Sequence, residues 1–143
     1  MGKDEREAVK WYTKAAEQGN ADAPNNLGVC YFYGKGVGKD EMEAVKWYTK
    51  SAEQGNSFGQ NALGVCYRDG TGVGKDEREA VKWFTKSAEQ GYVDAQCNLG
   101  ACYANGQGVG KDEKEAVKWL TKSAGQGCPQ AKDALEKLKS KTP

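Results

Sequence analysis

The stretch GTGVGKDE, residues 70–77, has the composition of a phosphate-binding loop, in which a glycine-rich turn leads into a lysine. Such a loop has four residues between its first glycine and the Gly-Lys pair, and a Ser or Thr after the lysine to hold Mg²⁺. Here three residues separate Gly70 from Gly74, and Asp76 replaces the hydroxyl residue, where its carboxylate would repel a phosphate. Residues 60–69 have helical periodicity where a strand is required. Nucleotide binding is therefore not predicted.

The chain contains five cysteines and no histidine, which limits its metal and redox chemistry. Cys30, Cys66 and Cys102 recur every 36 residues, and at ordinary helix spacings adjacent copies would lie beyond disulfide reach. We predict that these three are small apolar core residues. Cys97 and Cys128 have no evident pairing, and an odd number of cysteines favours a reducing compartment such as the cytoplasm. Without His or a Cys-x-x-Cys motif, neither a metal nor another cofactor is predicted.

Four tryptophans could form a stacking ladder for single-stranded nucleic acid. However, they occupy the same place in four copies of one motif, and 21 basic against 20 acidic residues give no net attraction for nucleic acid or an anionic membrane. We therefore predict neither partner and expect the tryptophans to pack between repeats: Trp11, Trp47, Trp83 and Trp119. No apolar run is long enough for a membrane span, and no catalytic constellation is evident, so the protein is predicted not to be an enzyme.

The elements that hold these residues repeat with a period of 36. The segments EAVKWYTK, EAVKWYTK, EAVKWFTK and EAVKWLTK begin at residues 7, 43, 79 and 115, and GKDE precedes each of them. A constant period of this size indicates a stacked repeat architecture. The glycine-rich stretch is then a connector between two helices.

Each period contains two predicted helices. The longer begins at an aspartate cap with glutamate three residues later, as in Asp40 and Glu43, and ends at Gln-Gly. The shorter carries the pattern Leu-Gly-x-Cys-Tyr, as at residues 63–67. Because a glycine inside a helix costs about 1 kcal/mol relative to alanine, we expect Gly64 to permit the close approach of another helix.

Some positions depart from this pattern. Pro24 falls in the first turn of a short helix, where proline is tolerated, and Gly59 is expected to delay the start of the second short helix. In the last segment, Glu136 takes the Gly position and Lys139 the Tyr position. Such polar residues suit an outer capping helix.

The stretch LGVCYRDGTGVGKDEREAVKWFTKSAEQGYVDAQ, residues 63–96, resembles the Sel1-like repeat, a branch of the tetratricopeptide superfamily. The resemblance covers residues 3 to about 139. It implies an all-α fold, a right-handed α-solenoid of 36-residue helix-turn-helix repeats, in which the Leu-Gly helix comes first and the tryptophan helix second. On that phasing a lone second helix spans residues 4–19, three full repeats span 21–56, 57–92 and 93–128, and a capping helix spans 129–140.

In the related superfamily one face of the first helix lines a concave groove, and the corresponding residues vary between the repeats of this chain. The resemblance therefore implies a partner-binding face, with Phe32 and Tyr33 as an exposed aromatic anchor. An ordinary solvated face is the alternative. The candidate residues are Asp22, Asn25, Val29, Phe32, Tyr33, Phe58, Asn61, Val65, Arg68, Asp69, Asp94, Cys97, Ala101, Ala104 and Asn105.

The predicted function is that of a monomeric, non-enzymatic scaffold or adaptor that binds a peptide or protein segment along the groove. One alternative is a structural or engineered solenoid without a ligand, which the near-identity of the repeats suggests. Another is a hydrolase of the kind ascribed to cysteine-rich relatives, whose paired cysteines, one on each helix of a unit, are not evident here. Because the sequence begins within a repeat, a fragment without its flanking segments, including a signal, also remains an alternative.

Overall fold

The computed structural model describes the backbone of residues 2–140 and the side chains of residues 4–140. This part of the chain consists of helices joined by short connections and contains no strand, which confirms the predicted all-α solenoid. None of its helices is both long and apolar enough to cross a membrane. The helices are α1 (Gly2–Glu17), α2 (Ala23–Tyr33), α3 (Glu41–Glu53), α4 (Ser57–Asp69), α5 (Glu77–Glu89), α6 (Val93–Asn105), α7 (Glu113–Gly125) and α8 (Pro129–Ser140).

The second helices α3, α5 and α7 begin at the predicted aspartate caps. The carboxylates of Asp40, Asp76 and Asp112 each accept a hydrogen bond of 3.1 Å from the backbone N–H three residues later. Each bond satisfies a free amide at the helix start, and the negative charge complements the helix dipole. The lone second helix α1 differs, because it already begins at Gly2, before Asp4.

The first helices α2, α4 and α6 each end at a glycine in the left-handed conformation, but they do not all begin alike. α4 begins in register with α6, so the expectation that Gly59 delays its start is wrong. Instead α2 begins late in its repeat, at Ala23. Pro24 explains the delay, because it lacks the backbone N–H with which its counterpart Gln60 donates to the carbonyl oxygen of Asn56 at 2.9 Å.

A glycine in each first helix lets the second helix of the same repeat approach closely, as expected. A Cβ atom at Gly64 would lie 2.7 Å from two ring carbons of Phe84. The equivalent glycines face the equivalent side chains, Gly28 against Tyr48 and Gly100 against Leu120. Any larger residue would push the two helices apart or force the facing side chain to move.

The buried core is divided into clusters that cross repeat boundaries. Three tryptophans each share a cluster with a valine of the preceding second helix: Trp47 with Val9, Trp83 with Val45 and Trp119 with Val81. Trp11 is instead 66% exposed, since no second helix precedes α1 among the described residues. The prediction that all four tryptophans pack between repeats is therefore wrong for Trp11.

The glycine-rich connector is held against the preceding repeat. Gly72 has a φ of 74°, and a Cβ atom there would collide with the carbonyl oxygen of Glu41 at the start of α3. The backbone N–H of Asp76 donates to the carbonyl oxygen of Tyr67 at 2.8 Å, which closes the connector onto its own first helix. The connector is therefore rich in glycine because it needs a left-handed φ and a close backbone contact.

Candidate functional site

The first helices α4 and α6 and the start of α8 enclose a cleft of about 380 Å³, which we call the α4–α6–α8 cleft. Residues of α4, α6 and the start of α8, which follow one another in successive repeats, therefore line one surface. Five of the predicted binding residues line it, namely Asn61, Val65, Arg68, Asp94 and Cys97. Three residues that sequence reasoning did not select complete the lining, namely Asn98, Cys128 and Gln130.

A polar chain runs across this cleft from α4 to α6. The side-chain amide of Asn98 donates to Asn61 Oδ1 at 3.0 Å, and Arg68 Nη1 donates to Asn98 Oδ1 at 3.4 Å. Arg68 also donates through Nε and Nη2 to the two carboxylate oxygens of Asp69, at 2.9 and 3.2 Å. These hydrogen bonds to the Asp69 carboxylate raise the pKa of Arg68. Both Asn61 and Arg68 are thus held in fixed orientations at the cleft wall.

Asn98 is the residue that sequence reasoning missed in this chain of bonds. Its counterparts in the earlier repeats are Asn26 and Ala62, so the position varies as much as the selected ones. That variation is the signal that could have identified it. The position lies beside the predicted stripe on the helix and was therefore not selected. There the side chain of Asn98 on α6 contacts Asn61 on α4.

A second cleft, of about 390 Å³, lies between α6 and α8. The predicted residues Ala101, Ala104 and Asn105 form its α6 side. The α8 side is formed by Gln130, Asp133, Ala134, Lys137 and Leu138, none of which was selected from the sequence. The two clefts share Gln130 and lie along the same first-helix face.

The aromatic pair at the end of α2 is only partly exposed. Tyr33 is 64% exposed, but Phe32 is half-buried, with its ring centroid 6.3 Å from that of Tyr48 and 4.9 Å from that of Tyr33. The expectation that both rings are exposed is therefore correct for Tyr33 and wrong for Phe32. Phe32 turns toward the second helix, where it packs against the buried cluster around Tyr48.

The other predicted residues of α2 and the start of α4 lie outside both clefts. Asp22 is exposed, and Val29 packs partly against the cluster that contains Tyr48. Phe58 is 40% exposed and makes an edge-on contact with Tyr92, with the ring centroids 6.1 Å apart. Of the predicted binding residues, only those on α4 and α6 therefore line the two clefts.

Asn25 differs from its counterpart Asn61 in one respect. Its Oδ1 atom is buried, yet no donor among the described residues reaches it. Asn61 accepts its hydrogen bond from Asn98. For Asn25 the residue equivalent to Asn98 is Ala62, and alanine has no side-chain donor. A buried acceptor without a donor costs about 1–3 kcal/mol of stability.

Cys97 and Cys128 are brought into contact at the α4–α6–α8 cleft, although no pairing was evident from the sequence. Cys97 packs against the cluster that contains Cys128, both side chains line the cleft, and the Cys128 thiol donates to Gln130 Oε1 at 3.3 Å. Burial, with the nearby Cys128, raises the pKa of Cys97 to about 12. Burial also acts to raise the pKa of Cys128, but hydrogen bonds from Ser123, Ala131, Cys97 and Gln130 outweigh it and lower that pKa. Among the described residues, no group of three or more Cys, Asp or Glu is placed to hold a metal ion.

Comparison with known families agrees with this repeat geometry. The sequence model of the Sel1 repeat matches residues 1–20, 21–56, 57–92 and 93–128. The chain belongs to the Sel1-repeat family. Sel1-repeat proteins are generally non-catalytic scaffolds that bind protein partners.

Solved structures resemble this Sel1-repeat protein over most of its length. A protective antigen of uropathogenic Escherichia coli with an SLR fold is 42% identical at a TM-score of 0.87, over 88% of this chain and 27% of that protein. A Sel1 repeat protein from Oxalobacter formigenes is 40% identical at a TM-score of 0.82, over 88% of this chain and 52% of that protein.

Cysteine-rich protein B of Helicobacter pylori is also similar to this Sel1-repeat protein. It is 27% identical at a TM-score of 0.73, over 94% of this chain and 96% of that protein. The first two relatives are longer, so this Sel1-repeat protein spans about a quarter of one and half of the other. Comparison with curated proteins gives no significant match.

Proposed function

We propose that this Sel1-repeat protein is a monomeric, non-catalytic scaffold that binds an extended peptide segment of a partner protein along the face formed by α2, α4 and α6. The main support is the exposed ring of Tyr33 on this face, together with the side chains of Asn61 and Arg68, which line a cleft on the same face and are already oriented. An extended peptide presents backbone N–H and C=O groups at regular intervals, and polar side chains along the face can pair with them.

The neighbouring groups suit the same ligand. The exposed ring of Tyr33 supplies an apolar contact with a polar tip, and its position is fixed by the half-buried Phe32 beneath it. Further along the face, Asn61 and Arg68 are already oriented by Asn98 and Asp69, so little side-chain entropy would be lost when a peptide contacts them. The face therefore offers polar groups for a peptide backbone and one aromatic anchor for a side chain.

The test is to select ligands for the full chain from a randomised display library of peptides and measure their affinities by titration calorimetry. Asn61→Ala should weaken the selected peptides about 2- to 10-fold, as expected for one neutral hydrogen bond. Tyr33→Ala should weaken them by about 30-fold or more if the ring is the anchor. The control is Lys82→Ala, which alters an exposed side chain on the second-helix face and should leave affinity unchanged.

The proposal fails if no peptide is enriched, or if enriched peptides bind wild type and both first-helix variants equally. It also fails if Lys82→Ala abolishes binding, because the ligand would then occupy the second-helix face. Thermal unfolding of each variant separates loss of contact from loss of fold. Sedimentation of the free protein tests the monomeric state.

A further inference from the structure

Cys97 and Cys128 occupy positions that asparagines occupy in an earlier repeat. Cys97 is the counterpart of Asn25 and Cys128 is the counterpart of Asn56, so the same two places hold Asn in one repeat and Cys in another. The Asn56 side chain caps α4 by accepting from the backbone N–H of Gly59 at 2.8 Å. Cys128 stands in this place at the start of α8, where backbone N–H groups favour its thiolate and its thiol donates to Gln130 Oε1 at 3.3 Å.

The two thiols differ in setting from the three other cysteines. Cys97 is half-buried, Cys128 is 7% exposed, and both line the open α4–α6–α8 cleft in side-chain contact with each other. The others are buried in three separate core clusters, as predicted: Cys30, Cys66 and Cys102. The chain therefore contains one pair of adjacent thiols beside three isolated ones.

We propose that Cys97 and Cys128 are a reversible oxidation site, at which a low-molecular-weight disulfide converts the two thiols into a disulfide that ties α6 to the start of α8. Two side chains in contact meet the first geometric requirement of a disulfide, which is that the two sulfurs lie close together. The cleft gives a small oxidant a route to the sulfurs.

Cys128 is the attacking residue. Its thiolate is favoured by backbone N–H groups at the start of α8, so it attacks one sulfur of the oxidant and releases the first low-molecular-weight thiolate. Cys97 then loses its proton to solvent and attacks the Cys128 sulfur of this mixed disulfide, which releases the second thiolate. In sum, two electrons pass from the protein sulfurs to the oxidant, which is reduced to two thiols.

The bridge would change the candidate binding face. Cys97 is on α6 and Cys128 immediately precedes α8, so a disulfide would fix the distance between the walls of the cleft at that point. It would also convert two polar thiol groups of the lining into one apolar group. The oxidation site does not depend on the peptide-binding proposal, because it is defined by the thiols alone.

The experiment uses the reduced full chain, freed of reductant and incubated under native conditions with oxidised glutathione. After alkylation of the remaining thiols, intact mass and peptide mapping should show a disulfide between Cys97 and Cys128, with the other three cysteines alkylated. Trypsin leaves Cys97 and Cys102 on one peptide, residues 87–111, so mapping is repeated with Cys102→Ala. This variant is also the matched control, because it removes a thiol without touching the pair.

Two further variants assign the roles. Cys97→Ser should accumulate the glutathione adduct on Cys128, since the residue that resolves the mixed disulfide is missing. Cys128→Ser should react at least about tenfold more slowly, since the thiol that remains at the cleft has a strongly unfavoured thiolate. Circular dichroism confirms that each variant is folded before it is oxidised.

Reversal by a thiol reductant, with recovery of all five free thiols, supports the proposal. A bridge that involves Cys30, Cys66 or Cys102 in the folded protein would overturn it, as would equal reactivity of the two single variants. Wild-type protein that forms only glutathione adducts, or does not react at all, would overturn it as well.

Discussion

The side-chain amide of Gln90 donates to the side-chain oxygen of Gln60 at 2.7 Å, from the second to the first helix of the repeat at residues 57–92. Gln60 is buried, and its own amide donates to the carbonyl oxygen of Ala52 at 3.2 Å. The next repeat has the same arrangement, with Gln126 donating to Gln96 at 2.8 Å and Gln96 donating to the carbonyl oxygen of Ala88 in the preceding repeat at 3.3 Å. A ladder of amide groups therefore links successive repeats beside the apolar core.

The ladder predicts different costs for the same substitution at two equivalent positions. Gln90→Ala removes the donor to Gln60 Oε1 and should lower the free energy of unfolding by about 0.5–1.5 kcal/mol. Gln54→Ala is the matched control, because Pro24 stands where Gln60 stands and offers no side-chain oxygen. Urea unfolding should therefore show a change near zero for Gln54→Ala. Equal losses would mean that the glutamine bond adds nothing to stability.

The connector predicts that an alanine at Gly72 lowers folding stability strongly and that an alanine at Gly74 does not. Gly72→Ala must place a Cβ against the Glu41 carbonyl oxygen at a left-handed φ, which alone costs about 1–2 kcal/mol. Gly74→Ala meets no atom within 4 Å and has no such φ, so it should be neutral or slightly stabilising. Thermal unfolding of the two variants makes the comparison. A Gly72→Ala protein as stable as wild type would contradict the connector's contact with α3.

The aromatic pair of α2 predicts that Phe32 contributes to folding stability and that the exposed Tyr33 contributes little. Phe32→Ser removes a ring that packs near Tyr48 and should destabilise the fold by about 2–4 kcal/mol, somewhat less than a fully buried phenylalanine. Tyr33→Ser alters an exposed side chain and should change stability by less than about 0.5 kcal/mol. Chemical denaturation distinguishes them. Should Tyr33→Ser unfold the protein as readily as Phe32→Ser, the exposed anchor is part of the core.

The buried thiols predict a loss of stability at alkaline pH. Burial raises the pKa of Cys66 from 9.0 to about 11 and that of Cys102 likewise. Because the folded-state pKa is the higher, the unfolded chain releases its protons first as the pH rises. The contribution of these two thiols to the free energy of unfolding should therefore be constant below pH 9 and fall between pH 9 and about 11, by about 2–3 kcal/mol for each thiol at most.

Urea titrations at several pH values, compared between wild type and Cys66→Ala, measure this dependence. The variant should lose the part of the slope that belongs to Cys66 and keep the part from Cys102. An unchanged slope in Cys66→Ala would show that the thiolate of Cys66 is no less favoured in the folded protein than in the unfolded one.

The features predicted from the sequence are those that depend on local bonding or on the repeat itself. The cap at Asp40 needs only a backbone N–H three residues away, and the glycine at Gly64 needs only the equivalent neighbour that every repeat supplies. The wrong prediction also concerned local bonding. Gly59 does not delay the start of α4, whereas Pro24, which lacks a backbone N–H, does delay the start of α2.

The features that were missed depend on distances between first helices of different repeats. Asn98 reaches Asn61, and Cys97 reaches Cys128, only because α4, α6 and α8 lie side by side at one spacing. Trp11 has the same sequence context as the buried tryptophans and differs only in lacking a neighbour. A periodic sequence specifies what each repeat contains, whereas the contacts across repeats follow from how the repeats are stacked.

The contact between Gly72 and Glu41 fixes the distance between successive repeats. Gly36 and Gly108 meet Glu5 and Glu77 in the same way, so each step along the chain of repeats ends on main-chain atoms that cannot be compressed or exchanged. The interval between equivalent candidate binding positions, such as Asn25 and Asn61, is thereby fixed by the backbone. A ligand that contacts both must carry its own groups at that interval, and length discrimination between ligands follows without any contact dedicated to it.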